Sequence, residues 1–150
     1  MISTKWIEFP ENDELLAEVR KIREEVFVVE QGTPAELEFD ALDGRAVHLL
    51  VYENQKPVAT GRIIFEGKDC FLGRIAVLKE KRGEGYGDLV VRALIRRAYN
   101  SGAEKQFVRA QARVKGFYEG LGFKQISEPF MHDGILHIKM EHYGDIGGKC

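Results

Sequence analysis

One run constrains this chain more than any other: Val77-Leu78-Lys79-Glu80-Lys81-Arg82-Gly83-Glu84-Gly85-Tyr86-Gly87. An apolar, strand-like stretch over 71–78 leads into it, and a helix-like stretch over 88–99 leads out. Three glycines alternate with other residues at the junction. Glycine lets a backbone approach a ligand closely, and a helix start offers unpaired N–H groups at the positive end of its dipole. The fold must therefore contain a strand–turn–helix unit whose turn is built for an anion, most often a phosphate.

Two common phosphate loops do not match. A P-loop needs Lys-Ser or Lys-Thr after its last glycine, and Asp88-Leu89 follows here. A dinucleotide fingerprint needs Gly-x-Gly-x-x-Gly, whereas these glycines stand at 83, 85 and 87. What remains is Arg82-x-x-Gly85-x-Gly87. It resembles the pyrophosphate-binding signature of the GCN5-related N-acetyltransferase (GNAT) family, in which coenzyme A lies across such a turn.

Composition narrows the class. At 150 residues the chain suits one domain with a full core, and a formal charge of −2 supplies no basic field for nucleic acid. No apolar run is long enough to span a bilayer, and Met1-Ile2-Ser3-Thr4-Lys5 lacks a signal-peptide core. Cys70 and Cys150 have neither metal nor redox spacing, so a cytoplasmic location, reduced thiols and no metal are expected. One domain is expected over 1–143, with a flexible tail over 144–150.

The order of elements reads as mixed α/β. Residues 4–9 form a short strand, and Pro10-Glu11-Asn12-Asp13 signals a helix start. Leu15, Val19, Ile22 and Val26 then recur at helical spacing. The run Val26-Phe27-Val28-Val29 suits a helix end or an extended segment, and residues 36–43 read as an acidic surface loop. Strands over 47–53, 57–65 and 70–78 make an antiparallel meander. After the helix at 88–99 come a strand at 105–111, a short helix at 114–121, and strands at 123–128 and 135–143.

A second motif stands in the right place. The segment Phe117-Tyr118-Glu119-Gly120-Leu121-Gly122-Phe123 is similar to the acetyltransferase Phe-Tyr-x-x-x-Gly-Phe segment, one helix and one strand after the glycine turn. Further residues resemble the ElaA-like branch of bacterial acetyltransferases: Val26-Phe27-Val28-Val29-Glu30-Gln31, Asp40, Asp43, His48, Gly73-Arg74-Ile75-Ala76-Val77, and Asp133-Gly134-Ile135-Leu136-His137. Leu136 departs from the pattern, which has proline there. The resemblance implies an α+β GNAT fold. Its mixed, mostly antiparallel sheet has six to seven strands flanked by about four helices, and it splits after the fourth strand.

The same resemblance implies a chemistry. Acetyl-CoA is the expected co-substrate. Its pantetheine arm would lie in the split along Ile75, Ala76 and Val77. Its pyrophosphate would lie on Arg82, Gly83, Glu84, Gly85, Tyr86, Gly87 and Asp88. Tyr118 is the motif position that stands near the sulfur, and a tyrosine facing a thiolate acts chiefly as a hydrogen-bond donor. Glu30, Gln31, His48, Gln111 and His137 are the candidates for acceptor contact and general base, with Asp40 and Asp43 as further carboxylates. Arg62 and Arg74 fall in strands, so each needs a carboxylate or an open cleft. The acceptor is expected to be a primary amine on a small molecule or a protein, and the acidic loop hints at a cationic one. No nucleic acid or membrane partner is expected, and a homodimer is left open. The competing reading is a non-catalytic acyl-CoA-binding sensor on the same fold.

Overall fold

The computed structural model describes residues 1–8 and 13–146. The helix-start signal at Pro10, Glu11 and Asn12 and the terminal Cys150 lie outside the described residues. Eight strands make one sheet: β1 (Ile2–Glu8), β2 (Val47–Glu53), β3 (Lys56–Glu66), β4 (Asp69–Val77), β5 (Lys105–Gln111), β6 (Lys124–Gln125), β7 (Phe130–His132) and β8 (Ile135–Tyr143). Their order is β1-β2-β3-β4-β5-β8-β6, with β7 paired to β8. All pairs are antiparallel except β4 with β5. Four α-helices accompany the sheet: α1 (Asp13–Arg23), α2 (Ala35–Glu38), α3 (Tyr86–Asn100) and α4 (Lys115–Gly120).

The sheet exceeds the expected six to seven strands because a short extra strand, β7, pairs with β8 across the Asp133-Gly134 turn, and the segment read as one strand over 123–128 is shortened. Only Lys124 and Gln125 pair with β8, and Ser127 then accepts the Lys139 N–H on its hydroxyl at 2.9 Å. Pro129 follows, and a new short strand begins at Phe130. The run Val26-Phe27-Val28-Val29 continues the first helix as a widened π-helical turn, Glu24–Glu30. Gln31 N–H reaches back five residues to the Val26 carbonyl at 3.1 Å.

Two cores flank the sheet. Val90, Val91, Leu94, Ile95 and Ala98 of α3 pack on one face, against Leu49, Ile63, Leu72, Val108 and Met140. Leu16, Val19, Ile22 and Val26 pack on the other, against Leu50, Tyr52 and Ala76. Helix α3 lies close on β3: a Cβ at Gly61 would stand 2.8 Å from Val90 Cγ1 and 2.9 Å from Leu94 Cδ1. The packed part also runs past the expected boundary at residue 143. Gly144 N–H donates to the Glu104 carbonyl at 2.7 Å, and Ile146 is buried in the α3 core.

The sheet splits where expected, and the cause is visible. Strands β4 and β5 pair only from Asp69↔Lys105 to Leu72↔Val108. Just beyond, Gly73 and Ala76 of β4 pair with Arg62 and Thr60 of β3, so Arg74 and Ile75 stand opposite the single residue Gly61. This bulge bends β4 away from β5. Arg74 sits at φ +48°, a left-handed conformation that non-glycine residues seldom adopt.

A network of charges holds that bulge. Arg74 reaches Asp40 Oδ2 at 3.1 Å and Glu38 Oε2 at 3.3 Å. Arg23 binds Glu38 at 2.7 Å and Asp43 at 2.8 Å, and Arg62 binds Asp43 at 2.7 Å and Asp40 at 2.8 Å. The expected acidic surface loop at 36–43 is thus a correction: Glu38 and Asp43 are buried, each within reach of guanidinium groups. The three arginines come from α1, β3 and β4, and no local spacing links them to the loop. Burial pushes the Asp43 carboxyl up, but Arg23 and Arg62 outweigh it and hold it below the ordinary aspartate range. The same balance, set by Arg62 and Arg74, holds Asp40 down, whereas burial leaves Glu38 raised.

Candidate active site

The split opens into a cleft of about 620 Å³. Ile75, Ala76 and Val77 form one wall, and Val108, Arg109, Ala110 and Gln111 form the other. The glycine turn closes one end. The π-helical turn of Glu24–Glu30 and the β7–β8 hairpin flank the far side. Most of the residues singled out in the sequence meet here, including Tyr118, Glu30, Gln31 and His137.

The turn has the geometry of an anion cradle. Gly83 and Gly85 take φ +82° and +87°, and nothing lies within 4 Å of a Cβ built at either. The first N–H of α3 to reach a backbone carbonyl is that of Leu89, on Gly85 at 3.0 Å. Among the described residues, the N–H groups of Tyr86, Gly87 and Asp88 have no acceptor, as expected of an open helix start. The side chains of this turn are occupied with each other and their neighbours. Tyr86 donates its hydroxyl to Glu53 at 2.6 Å, and Lys81 pairs with the same carboxylate. Asp88 pairs with Arg92 at 2.8 Å, and Glu84 is exposed outside the cleft lining.

Arg82 is tied across the cleft. Its two Nη atoms meet both Glu30 oxygens at 2.5 and 2.7 Å, and its Nε donates to the Val77 carbonyl at 3.1 Å. The hydrogen bond from Arg82 holds the Glu30 carboxyl below its ordinary range. A residue read as a phosphate contact and a residue read as an acceptor contact are therefore partners. The same joining recurs beside them: Gln111 donates to Gln31 at 3.0 Å and accepts from Arg113 Nε at 2.9 Å.

The two histidine candidates part company. His48 is fully buried under the acidic segment, with Nε2 on the Asp43 carbonyl at 3.1 Å, and it does not line the cleft. Its position on β2, two strands from the split, puts it behind β3 rather than at the opening. His137 does line the cleft, packed between Phe130 and His132. Its Nδ1 lies 2.7 Å from the Ile135 carbonyl. A carbonyl only accepts, so Nδ1 donates to it, and Nε2 has no hydrogen-bond partner among the described residues.

Tyr118 is buried between Phe117 and Phe123, each edge-on at 5.1 and 5.4 Å. Burial alone pushes its phenol up. Several polar cleft residues, Arg109, Arg113, His132 and Asp133 among them, were not singled out for the site in the sequence. Arg109 had a signal, being a charge between the apolar Val108 and Ala110 of a strand. His132 had none, and Asp133 had only its turn and its place in the run that resembles the ElaA-like branch. Among the described residues, no group of His, Cys, Asp or Glu is placed to hold a metal ion. Nor is any described helix long and apolar enough to cross a membrane.

Comparison with known proteins agrees with this geometry. A family model described as acetyltransferase (GNAT) domain matches residues 11–143. The chain is 40% identical to the uncharacterized N-acetyltransferase YjcF of Bacillus subtilis over 132 residues, covering 86% of this chain and 93% of that protein. It is 33% identical to protein ElaA of Escherichia coli over 125 residues, covering 80% and 82%. The crystal structure of Escherichia coli ElaA superposes with a TM-score of 0.85 over 95% of this chain and 99% of the other, at 28% identity.

Proposed function

The chain belongs to the acetyltransferase (GNAT) family, and from that premise we propose that it moves the acetyl group of acetyl-CoA onto a primary amine of a small molecule or a protein. One observation carries the reading. A helix start with open N–H groups, a parted pair of strands and a buried tyrosine all border one continuous cleft. The N–H groups at the start of α3 suit a diphosphate. The unpaired edge of β4 suits the amides of a pantetheine arm.

In the reaction a C–N bond forms, the thioester C–S bond breaks, and the ammonium must first lose a proton. His137 fits that last task better than the other candidates. It is the one with a bare ring nitrogen in the cleft, whereas Glu30 is held by Arg82 and Gln31 and Gln111 hold each other. A backbone N–H near Val77 fits the thioester oxygen as an oxyanion donor. Tyr118 fits the departing thiolate as a hydrogen-bond donor. Its raised phenol favours donation over full proton transfer.

The test is a set of thermal melts with coenzyme A, ATP and NAD, followed by free-thiol release with an amine panel. At about one hundred times its dissociation constant, coenzyme A should stabilise the protein by roughly 2.7 kcal/mol. No shift with coenzyme A overturns the proposal, and binding without turnover leaves the sensor reading. A Glu30→Gln arm sharpens it. The diphosphate must draw Arg82 from Glu30, so removing that charge should tighten coenzyme A. An exposed ion pair is worth about 1 kcal/mol at most, which caps the gain near roughly fivefold. Weaker binding in this variant would mean that the pair supports the turn instead of competing with the ligand.

A further inference from the structure

Resting on that acyltransfer reading, we infer that the acceptor amine carries an anionic group, a carboxylate in the simplest case, which Arg109 receives with Arg113 and Lys139 beside it.

The charges around the cleft do not balance. Three of the carboxylates lining it are paired with a guanidinium, Glu30 with Arg82 at 2.5 Å, Glu38 with Arg23 at 2.7 Å and Asp88 with Arg92 at 2.8 Å, and the fourth, Asp133, lies 3.3 Å from the His132 ring. The cations Arg74, Lys81 and Arg82 are likewise matched. Among the described residues, neither Arg109 nor Arg113 makes an ion pair, although Glu30, already held by Arg82, lies near enough to Arg113 to feel its charge. Arg113 touches only the Gln111 amide, and the Arg109 guanidinium lies over the Phe71 ring at 5.0 Å. Lys139, which pairs with Arg109 across β5 and β8, lies over Phe107 at 4.8 Å and also lacks a carboxylate. A ring holds a guanidinium in place without using its N–H donors, so a planar anion can still be gripped at two points.

Placement separates Arg109 and Lys139 from the glycine turn. Val108 and Ala110 enter the core beneath α3, so strand alternation turns Arg109 and Gln111 to the opposite face. His137 and Lys139 lie opposite them in register and share that face. The phosphate turn belongs to α3, on the other side of the sheet. Arg109 and Lys139 therefore stand on the face of the base candidate, while the turn has its own Lys81 and Arg82, both already paired. The hint of a cationic acceptor disappears with its source, because Glu38, Asp40 and Asp43 are taken up by Arg23, Arg62 and Arg74.

The experiment uses matched primary amines with acetyl-CoA: phenylalanine against phenethylamine, β-alanine against ethylamine, and the C-terminally amidated tripeptides Ser-Glu-Glu against Ser-Gln-Gln. Both turnover and melting shifts are read. The anionic member of each pair should be favoured in kcat/KM by about tenfold or more, as a charge-assisted hydrogen bond allows. Arg109→Gln should erase most of that advantage, chiefly through KM, and Arg109→Glu should reverse it. Coenzyme A affinity should stay unchanged in both variants. Equal or better use of the members without a carboxylate overturns the inference, as does a preference that survives Arg109→Glu. Failure of the wild type to bind coenzyme A would count instead against the acyltransfer reading.

Discussion

Replacing Tyr118 by phenylalanine should leave coenzyme A affinity intact and slow acetyl transfer by about a hundredfold. Assisted proton transfer or donation is typically worth about 10² to 10⁴ in rate, and a phenol raised by burial belongs at the lower end. The ring keeps its edge-on packing against Phe117 and Phe123, so the fold should not suffer. Thiolate charge exists only during reaction, which places the loss in kcat and not in binding. The loss should also shrink with a thioester whose thiol is more acidic, since that thiolate needs less help. Unchanged turnover, measured where chemistry limits the rate, would leave Tyr118 a packing residue.

Asp43→Ala should cost about 3–5 kcal/mol, the usual penalty for stranding buried charge. Arg23 and Arg62 both bind this carboxylate, and both are buried. Domains of this kind have about 5–15 kcal/mol in total, so the variant should melt far below the wild type. Urea unfolding gives the number, and a loss under about 1 kcal/mol would mean that water replaces the carboxylate without penalty. Acid should produce part of the same effect. Folded Asp40 and Asp43 titrate below their unfolded values, so their contribution is full above about pH 4 and is lost as pH falls through the folded values.

The sequence made the fold legible wherever a local rule applied. The strand at Lys105–Gln111 and the hairpin strands around Asn54 and Gln55 follow from alternation and turn residues. Glycines at 83 and 85 announced their positive φ through their spacing before a helix. The acidic segment was misread because charge in a loop normally means solvent, and its arginine partners sit 15 to 36 positions away. Partnership across such distances leaves no periodic trace. The Arg82–Glu30 pair was hidden for the same reason, although both residues had been picked out singly. Arg109 escaped because alternation shows that it leaves the core but not that the face it enters borders the cleft.

The parting of β4 and β5 after four paired positions has a further consequence. Along this seam the polypeptide does not finish its own sheet. A guest chain of amides laid against Ile75, Ala76 and Val77 would serve the ladder as an added strand, so such a substrate would be for a time a building element of the protein it visits. The architecture would then be completed and undone once per turnover. The rigidity of the joint between the meander and the β5–β8 half would rise on loading and relax on release. Selection on these strands would accordingly act on an assembly of chain plus guest, with the guest-free form kept slightly short of the best sheet the chain could make.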